Sequence, residues 1–273
     1  MLVCTLGDLT LDVIVRLAGP IAAGGDTDAE IHVGPGGQAA NVAAWAAELG
    51  ATARFVGKTG ADDAGDLVRT KLAAYGVEIV GPIEGRSGSI CSLVSPEGER
   101  SMAADRGTAR ELRADEIDPA WLACCERLHV SGYALMLEPV RSAALHAAAL
   151  ARAEGAGISV DLASWSAIRD SGVAAFGDAV RALEPDVVFA NEDEERVVGR
   201  SLVDAAWILK RGAGGCCFDG DERAALPVEL VVDSTGAGDA LAAGWIVGGP
   251  DLALEAAARC VQHVGAMPIA SPA

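Results

Sequence analysis

Val231-Val232-Asp233-Ser234-Thr235-Gly236-Ala237-Gly238-Asp239, running on into the apolar stretch 240–247, is the segment on which the reading of this chain turns. Two β-branched residues lead into a turn of small residues, and the turn opens a helix. Small side chains at 236–238 let the backbone approach an anion closely, and the free N–H groups and dipole of a helix mouth favour negative charge there. Asp239 would point its carboxylate into the same mouth. An anion cradle beside a fixed carboxylate suits phosphoryl transfer to a hydroxyl, because one stabilises charge and the other takes the proton. Taken alone, a Gly-x-Gly-Asp turn also serves as a plain helix start with Asp as its cap.

Outward from that turn the chain alternates strand and helix. Strands are predicted at 207–210, 186–190, 158–162 and 128–131. Between them, Val173–Leu183 aligns Val173, Phe176, Val180 and Leu183 on one helix face, and Pro139 opens an Ala-rich helix ending near Gly155. At the N-terminus, Leu2–Leu6 reads as a buried strand closed by Gly7-Asp8. Residues 40–49 place Val42, Trp45, Ala46 and Leu49 at helical spacing before Gly50. A second helix is expected from about 63 to 75. This pattern predicts an α/β fold with a mostly parallel central sheet flanked by helices, and ligands gather where such strands end. One region breaks the alternation: 89–94, the turn Pro96-Glu97-Gly98-Glu99 and 101–104 read as a hairpin, to which 29–33 could add a strand. A small β-layer against an α/β body is a natural lid.

The 273 residues fit one domain spanning 1–273, with the lid formed by about 13–34 and 87–106. Half the chain is apolar (51%), ample for a core, and the net charge of −18 argues against a nucleic-acid partner, which needs a positive footprint. Seven cysteines without a C-x-x-C and four histidines without H-E-x-x-H suggest neither a zinc site nor a disulfide framework. No signal peptide or membrane span is visible, so a cytoplasmic location and no membrane partner are expected.

Two further segments carry chemistry. Gly36-Gly37-Gln38-Ala39-Ala40-Asn41 opens the first helix and offers backbone and amide donors for hydroxyls. Asn191-Glu192-Asp193-Glu194 follows directly on a strand and puts carboxylates where hydrated Mg²⁺ could be held, although acids also simply favour a helix N-terminus. Two decoys fail. Gly57-Lys58-Thr59 ends like a P-loop but has Thr52 where the first Gly is required, and 34–39 imitates a dinucleotide fingerprint away from the first strand.

In this order, the segments resemble the ribokinase-like (PfkB) family of sugar and nucleoside kinases. The resemblance covers nearly the whole chain: Gly7-Asp8 with Asp12, Gly36-Gly37…Asn41, Gly57…Gly60-x-Asp62-x-x-Gly65, Asn191-x-x-Glu194, Gly212-Ala213-Gly214-Gly215 and the Asp233–Asp239 signature. It implies an ATP- and Mg²⁺-dependent kinase with Asp239 as catalytic base and Gly236, Ala237 and Gly238 as the anion hole. Asp12, Gly36, Gly37 and Asn41 match positions that hold the substrate's hydroxyls. Asn191, Lys210, Gly212, Gly215 and His263 fall where the family lines the nucleotide site, and Glu194 where it organises Mg²⁺. Asp233 and Thr235 match positions that help bind a monovalent cation, which makes K⁺ a further candidate cofactor. The family also implies a homodimer through the β-lid.

Departures from the family pattern bear on the substrate. The stretch from Asn191 to Lys210 is shorter than the family's, Gln38 stands where some sugar kinases have Lys, and Leu241 replaces a common Phe. Few aromatics are available to stack a base, which favours a sugar over a nucleoside; Trp165 and Tyr133 are the candidates for stacking. Arg106 and Arg169 are the cations nearest the expected substrate mouth, and the residue four after Asp161 is Trp165 rather than Arg, so a neutral substrate is expected. A sugar-binding regulator without catalysis is a third reading, opposed by the intact Asp239 and anion hole.

Overall fold

In the computed structural model, which describes residues 1–96 and 100–269, strand β1 (Leu2–Leu6) is an interior strand of a nine-stranded sheet. Its alternating side chains show why: Val3 packs to one face, Cys4 and Leu6 to the other, all fully buried. After Gly7-Asp8 the chain leaves this sheet as β2 (Thr10–Leu17) and β3 (Ala29–Gly36), an antiparallel pair. It returns through α1 (Gln38–Glu48) to β4 (Thr52–Val56), parallel to β1, then through α2 (Asp63–Ala73) to β5 (Glu78–Val80). Strands β6 (Gly88–Val94) and β7 (Arg100–Asp105) form the expected hairpin, whose turn residues 97–99 lie outside the described residues. β6 runs parallel to β2, giving a second sheet of order β3-β2-β6-β7.

Regular alternation then resumes: β8 (Arg127–Ser131), α3 (Tyr133–Met136), α4 (Val140–Ala153), β9 (Gly157–Asp161), α5 (Trp165–Ser171) and α6 (Val173–Leu183). β10 (Val187–Asn191), α7 (Glu192–Val198) and β11 (Ala206–Lys210) follow. β12 (Cys216–Phe218) and β13 (Asp221–Arg223) turn back antiparallel at the edge, and α8 (Ala237–Gly248) and α9 (Pro250–Cys260) close the described fold. The large sheet has the order β13-β12-β11-β10-β9-β8-β1-β4-β5 and is parallel from β11 to β5. Among the described residues no helix is long and apolar enough to cross a membrane.

Each face of the large sheet carries its own core. Helices α1, α2, α8 and α9 cover one side with Trp45, Val68, Leu72, Leu241 and Leu254. α3 to α6 cover the other, where Ala143, Ala144, Ala147, Ala148 and Ala151 of α4 let that helix lie close to the strands. Double cover explains why the strands read as continuous apolar runs. Phe189 of β10 meets Trp245 edge-on at 5.7 Å and His129 at 5.8 Å.

The predicted strands and helices agree with these elements to within a few residues. The short strands β5, β12 and β13, three residues each, carry too few residues for a periodic signal and are not among the predicted strands. Residues 231–232 form no strand: the N–H groups of Val232 and Asp233 donate to the carbonyl of Val261 instead, so the segment hangs on the end of α9. The Gly60-x-Asp62-x-x-Gly65 run is structural. Asp62 caps α2 by accepting from Gly65 N at 2.8 Å, and its other oxygen accepts from Ser87 N at 2.8 Å, tying α2 to the start of the small sheet.

Candidate active site

The site begins where β1 ends. Asp8 is buried and forms an ion pair with Arg106, whose guanidinium lies 3.4 Å from the centre of the Tyr133 ring. The Oδ1 atom of Asp8 is buried with no hydrogen-bond partner. On β2, Asp12 accepts from Thr10 Oγ1 at 2.9 Å, and burial, with Asp8 nearby, pushes its carboxyl up to about 6. Gly36 faces it across the hairpin, and a β-carbon there would fall within 2.0 Å of Asp12 Cγ. Gly37 has φ of +101°, and a β-carbon on it would strike the carbonyl of Asp8 at 2.3 Å. The two glycines therefore let the small sheet and the start of α1 close around the acids.

One turn into α1, Asn41 reaches across the molecule: its Nδ2 donates to Asp239 Oδ2 at 2.7 Å. Asn41 is itself buried, and its Oδ1 has no partner. Asp239 sits in the first turn of α8, opened by Gly236 at φ +77°, where a β-carbon would collide with Ala266. Burial first, then the negative charge of Asp161, raises the Asp239 carboxyl to about 7, against the opposing effects of Asn41 and Lys210. The first N–H groups of a helix have no acceptor within it, so the mouth of α8 favours an anion.

Three neighbouring strands end on polar residues in a row: Asp161 on β9, Asn191 on β10 and Lys210 on β11. Lys210 Nζ donates to the fully buried Asp161 at 2.5 Å. Burial alone would lower the lysine's affinity for its proton, but Asp161 and Glu194 outweigh it and hold Lys210 firmly charged. A β-carbon on Gly238 would stand 3.2 Å from Lys210 Nζ, so this cation lies against the glycine turn itself. Asn191 caps α7: its Oδ1 accepts from the N–H groups of Asp193 and Glu194, at 3.0 and 2.9 Å. Glu194 returns the contact through both carboxylate oxygens, each 2.8 Å from a nitrogen of Asn191.

The structure thus brings together Asp12, Gly36, Gly37, Asn41, Lys210, Gly236, Ala237, Gly238 and Asp239, with Asn191 and Glu194 at the adjoining strand end. It does not bring every expected nucleotide residue to this group. Gly212 is exposed in a short turn, while Gly215 is glycine because a β-carbon would meet the Arg223 carbonyl at 2.0 Å. His263 faces away. Its Nε2 is 2.7 Å from the Met267 carbonyl, and it lines a cavity of about 480 Å³ with Asp12, His32, Lys71 and Tyr75. Its ring rests 6.5 Å from that of Trp45. Asp233 and Thr235 are joined: Asp233 Oδ1 accepts from Thr235 N at 2.9 Å and Thr235 Oγ1 at 2.5 Å.

Sequence reasoning passed over Asp161 and left Arg106 without a fixed place. Asp161 had one usable signal, an acid ending a buried strand at the edge where ligands collect. Arg106 had none, because its contact with Asp8 spans 98 residues and depends on how the small sheet folds over.

A family model described as pfkB family carbohydrate kinase matches residues 1–272. The ATP-dependent ribose-1-phosphate kinase of Halopiger xanaduensis is 32% identical over 253 residues, which span 82% of this chain and 78% of that one. A fructokinase of Escherichia coli is 30% identical over 268 residues, 90% of this chain and 83% of the relative. Among solved structures, a probable sugar kinase from Rhizobium etli superposes with a TM-score of 0.84 at 26% identity, covering 98% of this chain and 94% of the other.

Proposed function

The chain belongs to the pfkB family of carbohydrate kinases, and from that premise we propose that it transfers the γ-phosphoryl group of ATP to a hydroxyl of a small neutral sugar. The observation that carries this reading is the Asn41–Asp239 hydrogen bond, which fixes a carboxylate with a carboxyl pushed to about 7 at the mouth of α8. Asp239 removes the proton of the acceptor hydroxyl as its oxygen bonds to the γ-phosphorus and ADP departs. A base with a pKa near the working pH is well matched to that task. The charge that develops on the phosphoryl oxygens meets the N–H groups of Gly236–Asp239 and the ammonium of Lys210.

The relatives' names span a neutral sugar and a sugar phosphate, and two features of the site favour the neutral sugar. Asp8 Oδ1 and Asn41 Oδ1 are buried acceptors without donors, so both call for hydroxyl groups. Arg106 is neutralised by Asp8 and stacked on Tyr133, which leaves it committed within the protein. Both points favour a polyhydroxyl, uncharged acceptor.

Mg²⁺ would arrive with ATP and neutralise phosphate charge. Among the described residues no three His, Cys, Asp or Glu side chains cluster to hold a metal directly. Glu194 spends both oxygens on Asn191, so its fit to Mg²⁺ is through the ion's own water, in keeping with an ion that keeps most of its hydration. K⁺ at Asp233 and Thr235 fits less well, because that carboxylate already holds a cationic side chain. The small sheet serves as the lid, and its outer face pairs two copies of the chain. The direct test is ATP turnover over fructose, other hexoses, pentoses, ribose-1-phosphate and adenosine. Turnover confined to uncharged sugars is the expected result; preference for ribose-1-phosphate or adenosine, or none at all, would overturn the reading.

A further inference from the structure

Arg100 is the first described residue of β7, on the small sheet, yet its guanidinium reaches the loop that opens α8. Its NH2 lies 2.6 Å from Asp233 Oδ1, and the Asp233 carboxylate is only 8% exposed. The same oxygen accepts from the backbone and the hydroxyl of Thr235, and the other accepts from Gly265 N at 3.1 Å. Every oxygen that Asp233 could offer to an ion is therefore already engaged, and the charge an ion would bring is already present. Thr235 turns its hydroxyl proton toward Asp233 rather than presenting a free donor set. A monovalent metal ion needs a shell of oxygens without a competing cation, and this pocket has a fixed positive group inside it.

We propose that the guanidinium of Arg100 takes the place of a monovalent cation at Asp233, and that the lid carries it there. The reading rests on the kinase function proposed above. Asp233 lies three residues before Gly236, so whatever neutralises it also sets the direction of the N–H groups that follow. An ion from solvent would hold that loop whether the lid is open or closed. An arginine on β7 holds it only when the small sheet is docked. The anion hole is then complete only once the sheet that bears Asp12 has closed, which couples phosphoryl transfer to substrate enclosure and disfavours ATP hydrolysis by water. Arg100 is a positioning residue, since it acts on the backbone of the loop and not on the reacting atoms. Its Nε is buried without a partner, so the guanidinium is not simply solvated.

The experiment compares wild type and Arg100→Ala in KCl, NaCl and choline chloride of equal ionic strength, with the best acceptor sugar. Wild type is expected to turn over at one rate in all three. Arg100→Ala is expected to lose about 10- to 100-fold in kcat with little change in sugar KM, and to recover part of it with K⁺ or methylguanidinium. Activation of wild type by K⁺, an unchanged kcat in the variant, or a loss that neither cation relieves would each overturn the proposal. Thermal unfolding supplies an arm independent of catalysis: KCl in place of choline chloride should raise the midpoint of Arg100→Ala and leave wild type unmoved. Arg100→Lys, which keeps the charge, serves if the alanine variant does not fold and should retain cation independence. A wild-type midpoint raised by K⁺ sinks the cation replacement even if the chain phosphorylates none of the sugars tried, whereas inactivity with an unmoved midpoint counts against the kinase reading alone.

Discussion

Asp239 is asked to be both buried and ionised, and the two demands pull apart. Its carboxyl is raised to about 7 in the fold, whereas an unfolded aspartate titrates near 4. Between those values the unfolded chain has lost a proton that the native state keeps, so this group's contribution to stability falls as pH rises through the window. Activity moves the other way, because only the ionised form accepts the hydroxyl proton. kcat/KM should therefore climb with pH and level off above about 7. Asp239→Asn should lower kcat by about 10²–10⁴ and, relative to wild type, gain thermal stability at pH 8 more than at pH 5. A flat pH profile, or a variant stabilised equally at both pH values, would remove the charge from the argument. Lys210 and Asp161 make the opposite kind of pair, each needing the other. Lys210→Met should cost about 3–5 kcal/mol by leaving Asp161 buried and unpaired, and Asp161→Asn in the same chain should return part of that in chemical denaturation. At this scale the sequence was legible where function and local backbone coincide, at 36–41 and 233–239. Asp8 with Arg106, Asp161 with Lys210, and Arg100 with Asp233 are partnerships across 49 to 133 residues, and no local pattern announces them.

Among the elements, those with a long apolar face were readable from periodicity, and the strands buried on both sides were readable as short apolar runs. α6 is legible to its residues because three of its four aligned side chains, Phe176, Val180 and Leu183, are buried, while Val173 at its start is exposed. α7 is the instructive case. Its four leading acids suggested either a metal site or an ordinary acidic helix start, and the structure shows a capping box between Asn191 and Glu194. Both readings then make separate predictions. Asn191→Ala should cost roughly 1 kcal/mol in unfolding, as loss of a helix cap does. Glu194→Gln keeps the shape of the cap but removes the charge, so it should raise the Mg²⁺ concentration needed for half-maximal rate while changing stability little. A magnesium titration identical to wild type would assign Glu194 to the helix alone.

At the scale of the molecule, the small sheet faces two ways. β2 sends Asp12 inward, toward the site, and sends its neighbours Val13 and Val15 outward. Register places Val33 and Ile31 of β3 and Cys91 and Leu93 of β6 beside them, on the same outer face. Ile31 is 60% exposed and Val33 45%, so the sheet turns a continuous apolar surface to solvent while its inner face is occupied by Ile14 and Ile90. A sheet of four strands with one bare apolar face is covered most simply by a second copy of itself, packed face to face. The chain should run in light scattering at about twice its 27.7 kDa mass. Ile31→Lys combined with Val13→Lys should convert it to a monomer, since buried like charges would then oppose each other across the pair. Because Asp12 and Val13 share one strand, the monomer should also bind its sugar less well: KM should rise more than kcat falls, as expected for a lid that has lost its support rather than a base that has lost its place. A wild type that is monomeric at micromolar concentration, or a double variant that stays dimeric, would move the interface elsewhere. A monomer with unchanged KM would separate assembly from substrate binding.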